Sequence, residues 1–557
     1  MLIRQLKLTL ILLVTLIWFI FIIPYFVVQT DFGANLVSRY LSQQSRYSFN
    51  IGHISHSLAS PTEITLSDVS IIDKTTGVIT LKTEKMTLGI TPDTLWHNAI
   101  LDYLVIQNGQ INLTEKQAIP DLPIQRLQLN NMSGQFAYND TMVEITHLSG
   151  GLKSATKAAL TDPQQAVEFE FTAEKVKIAD IDIQSFIISG LNKDDTLFYN
   201  NLGGSVQDGF FISKGKRRLN QPWQIDELQI NHLHFQEDIS VEQLASKLKM
   251  QIPFTINHFS LTDSSVALAD FNIENANIEL NNVSYDQQFI WQDTELKLNA
   301  TSLIWHNELF FDPMLQIQLN PNQISIQKAM TKWREGFISF AGNWHNNQLT
   351  LTQLSLLGLN TGLPEDWLND VITRKLPDYL SNINIKHLSL APSIIVDTQA
   401  VFPSQFTYLE AEGHDLVIAQ SQRLDLWQGD LTIKANHATI NTVTLRYLDI
   451  AIKADTENNQ RQLKMSLNAL TDSGMIDAAL TATPENQQIT NLTIQGDGVD
   501  PQLLKLWHVI ENPNEQHNFT LSLSGRYAPL NLHGQLTNKA LNQLTDYPVK
   551  DNLILLN

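Results

Sequence analysis

From Tyr47 to the C-terminus the chain repeats one phrase: apolar and polar residues alternate with a period of two, broken by short polar interruptions. "YLVIQNGQINLTEK" (103–116) is typical, and "ITLSDVSIIDKTTG", "IQRLQLNNMSGQF", "INHFSLTDSSVALAD", "NIELNNVSYD" and "TNLTIQGDGVD" vary it. Side chains two apart in a strand share a face, so this pattern predicts strands with one apolar and one polar face. The polar side carries Thr, Ser, Asn, Gln and Lys, which fits antiparallel sheet wetted on one side, whereas buried parallel strands read as continuous apolar runs. Asn108-Gly109 predicts a tight hairpin turn that returns Ile111 and Leu113 to the face of Leu104 and Ile106. Asn130-Asn131, Thr262-Asp263, Asn281-Asn282 and Gly496-Asp497-Gly498 carry similar turn chemistry. Roughly 25–30 strands at about 4.8 Å spacing make a sheet too long to stay flat, so it must curl, split or fold into a trough.

Three stretches break the period of two. "ISVEQLASKLKM" places Gln243 three residues after Ser240, the spacing of a capping box. "LPEDWLNDVITRKL" opens on Pro364, Glu365 and Asp366, and "DPQLLKLWHVI" on Asp500-Pro501, as helix starts do. They predict short helices near 241, 365–377 and 500–510, with boundaries near 240, 365 and 500. The body then divides into 29–240, 241–364 and 365–557.

The first fifty residues differ. Leu8–Val28, "LTLILLVTLIWFIFIIPYFVV", is uncharged and long enough to cross a bilayer, which takes about 20 residues. Arg4 and Lys7 precede it and Asp31 follows it, so residues 1–7 are expected in the cytoplasm and the rest across the membrane. A cleaved signal peptide is the alternative, but its apolar region is shorter and "YFVVQTDFG" offers no small-x-small site. Ala34, Leu36, Val37, Tyr40 and Leu41 then follow helical spacing, with Thr30 or Asp31 as cap, and predict an amphipathic helix leading into the first strand.

The 557 residues carry a formal net charge of −20. No basic stripe with interleaved aromatics occurs, which argues against nucleic-acid binding. Without cysteine there are no disulfides, zinc-thiolate sites or thiol nucleophiles. No nucleophile elbow, phosphate loop, dinucleotide fingerprint, zinc-protease helix or EF-hand loop is present. His232 and His234 lie two apart with a slip of parity at Leu233, which points to a bulge rather than to a metal site. Lys214, Lys216, Arg217 and Arg218 read as a solvated hairpin tip, and "GDGVD" (496–500) as a turn leading into a helix. Asp425 and Asp430 near Trp427 raise a polysaccharide-cleaving enzyme as a minor alternative, but their odd spacing sets them on opposite faces of one strand. No catalytic, cofactor-binding or metal-ligating residue is expected.

What remains is the apolar face. The ordering of the uncharged segment, "TDFGANLVSRYLSQQSRYSFNIG" and "ILDYLVIQNGQINLTEK", with "LFFDPMLQIQL", "KWREGFISFAGNW", "GLPEDW" and "GDGVDPQLLKLW" further on, resembles AsmA-family proteins over the whole length. The resemblance implies a single-pass inner-membrane anchor (8–28), a periplasmic body, and a mainly β fold in which a long antiparallel sheet curls into a repeating, taco-like β-groove with a few short helices. It also implies phospholipid transport, outer-membrane assembly and envelope integrity. The expected partners are a phospholipid or another acyl-chain lipid, the inner membrane and outer-membrane assembly factors; no cofactor is expected. The candidate lipid contacts are Leu104, Ile106, Ile111, Leu113, Leu127, Leu129, Leu228 and Ile230. The longest relatives are much longer than this chain, which keeps open an assembly or regulatory role without lipid movement.

Overall fold

The computed structural model describes most of the chain from Tyr25 to Val549, together with Thr15; the longest gaps in the description are 91–100, 114–123 and 504–517. The fold is mainly β, a long mixed sheet with 31 strands and few helices among the described residues. The predicted span at 8–28 lies outside the described residues except for Thr15 and 25–28, and no described helix is long and apolar enough to cross a membrane. Two compact units are present. The first is Met1–Gln236 with Ala245–Val266 and Asn281–Phe289; the second is Glu237–Leu244, Ala267–Leu280 and Ile290–Asn557.

In the first unit, helix Asp31–Gln44 precedes strand Tyr47–Ser57. Thr30 is its N-cap, its hydroxyl accepting from Gly33 N at 3.3 Å, as the sequence predicts. Ala34 is fully buried and Val37 and Leu41 pack with it against Ile51, Ile54 and Leu66, whereas Leu36 and Tyr40 are exposed. Two serines of this helix also serve the sheet edge. Ser38 Oγ accepts the Ile51 N–H at 3.0 Å and Ser42 Oγ the Phe49 N–H at 2.8 Å, so alternate edge amides find partners on the helix.

Pairing corrects the expected antiparallel sheet. Most neighbours are antiparallel, but Tyr103–Leu113 runs parallel to Arg126–Tyr138 and Trp223–Asn231 runs parallel to Phe254–Ala267. In the second unit Gln348–Leu357 and Asn360–Gly362 both run parallel to Asn382–Asp397. A parallel step needs a crossover. The predicted helical breaks near 241 and 365 fall in two of these crossovers. Val241–Lys247 has the expected capping box: Ser240 N donates to Gln243 Oε1 at 3.0 Å and Gln243 N to Ser240 Oγ at 3.2 Å. In the second, Trp367 is helical and donates its indole N–H to Asp397 Oδ2 at 2.8 Å, while most of 365–372 lies outside the described residues. In the third break Gln502 and Leu503 are helical and 504–517 are outside the description.

A second correction concerns the turns. Asn108-Gly109 is not a hairpin: Tyr103–Leu113 is one strand, and Asn108 sits inside it in the left-handed region at φ +52°. Asn131 (φ +55°), Asp263 (+45°) and Asn282 (+60°) are likewise kinks within strands. Only Gly498 (+66°) of the five predicted turns follows a strand end. Each kink moves the apolar side forward by three residues instead of two. Leu66 and Val69 are both buried around Asp68, Leu129 and Met132 around Asn131, and Leu445 and Leu448 around Tyr447. Asn and Asp tolerate this conformation; Tyr408 and Tyr447, at +52° and +50°, are unusual residues to find there.

Candidate functional site

Following the pairing strand by strand traces rows of side chains on one face. In the first unit one row reads Ile54–Leu66–Met86–Ile106–Leu129–Gly150–Phe171–Ile188–Leu202–Ser213–Leu228–Phe259, across twelve strands. A second row beside it runs Ile64–Leu88–Leu104–Leu127–Leu152–Phe169–Gly190–Tyr199–Gly215–Ile225–Ile256. Neither contains a charged residue. Their polar groups meet each other, Tyr199 Oη lying 3.5 Å from Ser213 Oγ, and burial pushes the Tyr199 hydroxyl above its ordinary pKa. Gly190 and Gly215 leave room for aromatic neighbours: a Cβ at Gly190 would come within 2.7 Å of Phe169 Cζ, and one at Gly215 within 2.6 Å of Tyr199 Oη.

The second unit repeats the arrangement. Leu298–Leu315–Ala329–Phe340–Leu354–Leu388–Gly413–Leu431–Ile452–Met465–Leu480–Leu492–Leu523 crosses thirteen strands without a charge. On the opposite face the neighbouring row is Ser355–Ser389–Glu412–Thr432–Ala451–Ser466–Ala479–Thr493. The apolar rows are uneven in cover. Leu445, Leu448, Ile476 and Leu521 are at most 2% exposed within the largest buried cluster, whereas Phe340, Leu354 and Leu388 are only partly buried.

The predicted contact residues fall on these rows to different degrees. Leu104, Leu127, Ile106, Leu129 and Leu228 lie in the two first-unit rows. Ile230 pairs with Phe211 and Leu261, and Ile111 with Leu81 and Gly134. Leu104, Ile106 and Leu129 are buried, Ile111 and Leu127 pack on the same cluster, and Leu228 and Ile230 are half-buried. Leu113 is 37% exposed at the strand end. Ile111 shares the face of Ile106 because Asn108 kinks the strand, not because the chain turns back. The second-unit rows were missed. The kink signal, an apolar residue, any residue, Asn or Asp, then a small or apolar residue ("LNNM", "LTDS" and "LNNV", at 129–132, 261–264 and 280–283), reads as a turn in the sequence alone.

The residues weighed for chemistry are bound up in the framework. Asp425 accepts from Arg461 Nη2 at 2.6 Å, and the Arg461 guanidinium stacks 4.4 Å from the Trp427 ring centre, so this aromatic and this acid are joined by an arginine. Asp430 lies 3.9 Å from Lys453 Nζ. His232 is a left-handed bulge at φ +55°, its carbonyl 3.0 Å from His234 Nδ1. The basic cluster lies on strand Gly209–Arg218 rather than at a loop tip; Lys214 pairs with Glu227, and Arg217 stacks on Trp223 at 4.9 Å. In "GDGVD" Asp500 Oδ1 accepts Gln502 N at 2.9 Å, the geometry of a helix start.

Long one-sided sheet with charge-free apolar rows and little helix places the chain among mainly β proteins. No protein-family profile and no solved structure matches the chain. It is 25% identical over 506 residues, 90% of this chain and 88% of the relative, to the AsmA family protein YicH of Escherichia coli (strain K12). This similarity agrees with the resemblance to AsmA-family proteins carried by the sequence.

Proposed function

We propose that this protein is anchored in the inner membrane by residues 8–28, with its body in the periplasm, and binds lipid acyl chains along its apolar sheet face in support of phospholipid traffic and outer-membrane assembly. In this reading the sheet curls into a groove, and the protein performs no chemistry. The observation that carries it is the set of charge-free rows, because a hydrocarbon chain needs a continuous apolar track and gains roughly 1.5–3 kcal/mol per side chain it helps to bury. Similarity to an AsmA family protein over 90% of the chain supports an envelope-related role.

The test uses the full chain in mild detergent, loaded with a phospholipid carrying a photoreactive acyl chain. Crosslinks at Phe340, Leu354 or Leu388, lost in a folded Leu354→Asp variant, are the expected result. Crosslinks scattered over the polar face, or unchanged by the substitution, overturn it. The second reading is an assembly factor with a dry core that binds protein partners. It is favoured by Leu448, 1% exposed, and its neighbours, which already fill part of the apolar face without a ligand. Recovery of a stable, lipid-free protein that takes up no photoreactive lipid selects that reading.

A further inference from the structure

We propose that His387, Glu412 and His414, on the polar face of the second unit, bind a divalent transition cation of the zinc type. Their ligand atoms all lie within 4.8 Å of one another. The two imidazole rings are 5.1 Å apart and inclined by 40°, and His414 Nε2 is 3.3 Å from Glu412 Oε1.

The backbone imposes this convergence. Glu412 and His414 are two apart on strand Ser404–Gln420, so their side chains leave it on the same side. His387, 27 positions earlier in the chain, is the direct cross-strand partner of His414 on Asn382–Asp397. Two ligands from one strand and a third from its neighbour are thereby held by sheet hydrogen bonds rather than by a loop, the rigid support a metal site needs. On the far side His414 pairs with Asp430, which adds a second carboxylate to the row. Lys453 draws on Asp430 from 3.9 Å, and Lys386 is an exposed cation beside His387.

The donor set selects the ion. Two imidazoles and a carboxylate suit zinc, whereas calcium and magnesium want oxygen ligands throughout. Tetrahedral ligands at about 2.05 Å from zinc lie about 3.3 Å apart, so these side chains close on an ion by rotating about their own bonds. Three protein ligands leave a fourth position for water or for an anionic group brought by a ligand. The ion would pin the two strands together on the face opposite the apolar rows, so the site is independent of lipid binding.

The test is a titration of the full-length protein in detergent, stripped with a chelator, with Zn²⁺ and then with Co²⁺ as a spectroscopic probe. The chain has 15 histidines, so site assignment is the decisive part. One tight equivalent, with the visible absorption of four-coordinate Co²⁺, is expected. It should be lost in His387→Ala and His414→Gln, weakened at least about tenfold in Glu412→Gln, and kept in the control His437→Ala. Unchanged circular dichroism of the metal-free variants separates ligand loss from misfolding. No stoichiometric binding, or binding that survives both His387→Ala and His414→Gln, overturns the proposal and leaves an ordinary cross-strand histidine pair.

Discussion

Asn131 donates its side-chain amide to Asn108 Oδ1 at 2.9 Å, from one left-handed residue to another on the adjacent parallel strand. Asn108 in turn donates to Glu84 Oε2 at 2.9 Å. The kinks of neighbouring strands are thus aligned, and a polar ladder runs along the line where each strand advances its apolar side by three. Asn108→Val should lower the melting temperature well beyond Asn108→Gly. Valine meets the left-handed penalty of roughly 1–2 kcal/mol, and both variants lose the two side-chain hydrogen bonds. Thermal melts of the two variants against wild type check this; equal shifts would show that the backbone conformation at Asn108 does not matter.

The Ser38–Ile51 hydrogen bond gives a second prediction. Ser38→Ala leaves the buried Ile51 N–H without its partner, at a cost of about 1–3 kcal/mol. The loss should be local: deuterium uptake of a peptide covering 47–57 should rise while peptides from the second unit stay unchanged.

Acid stability should depend on Asp73. Arg46 Nη2 donates to its carboxylate at 2.6 Å and the Thr75 N–H at 2.7 Å, and together they hold the group at about 2. An unfolded Asp titrates near about 3.9. A pKa lowered on folding stabilises above the unfolded value and loses that stabilisation as pH falls, here between about 4 and 2. Asp73→Asn should therefore melt below wild type at pH 6, and the difference should shrink as pH falls through that window. A difference that stays constant down to pH 2 would rule out the carboxylate as its cause.

Leu448 and Leu354 test whether the apolar face is equally packed. Leu448→Ala opens a cavity in a filled core and should cost about 2–5 kcal/mol. Leu354 is only partly buried and should cost less than half as much on the same change. Matching losses in urea denaturation would mean that both positions are packed alike, which favours the dry-core reading.

The sequence by itself determined that this chain builds one-sided sheet, because alternation of apolar and polar residues is local and the strand's period of two is a property of its backbone. It also determined the Thr30 cap and the Ser240–Gln243 box, since both bonds reach only three residues. Whether Asn108-Gly109 turns the chain or merely kinks it was decided by tertiary structure, because the same left-handed conformation serves both and only the neighbouring strands select one. The parallel crossovers, the rows that run through twelve or thirteen strands, and the meeting of His387 with His414 were decided in the same way. Each depends on which strand lies beside which and in what register, and that follows from packing between segments far apart in the chain rather than from any window of residues.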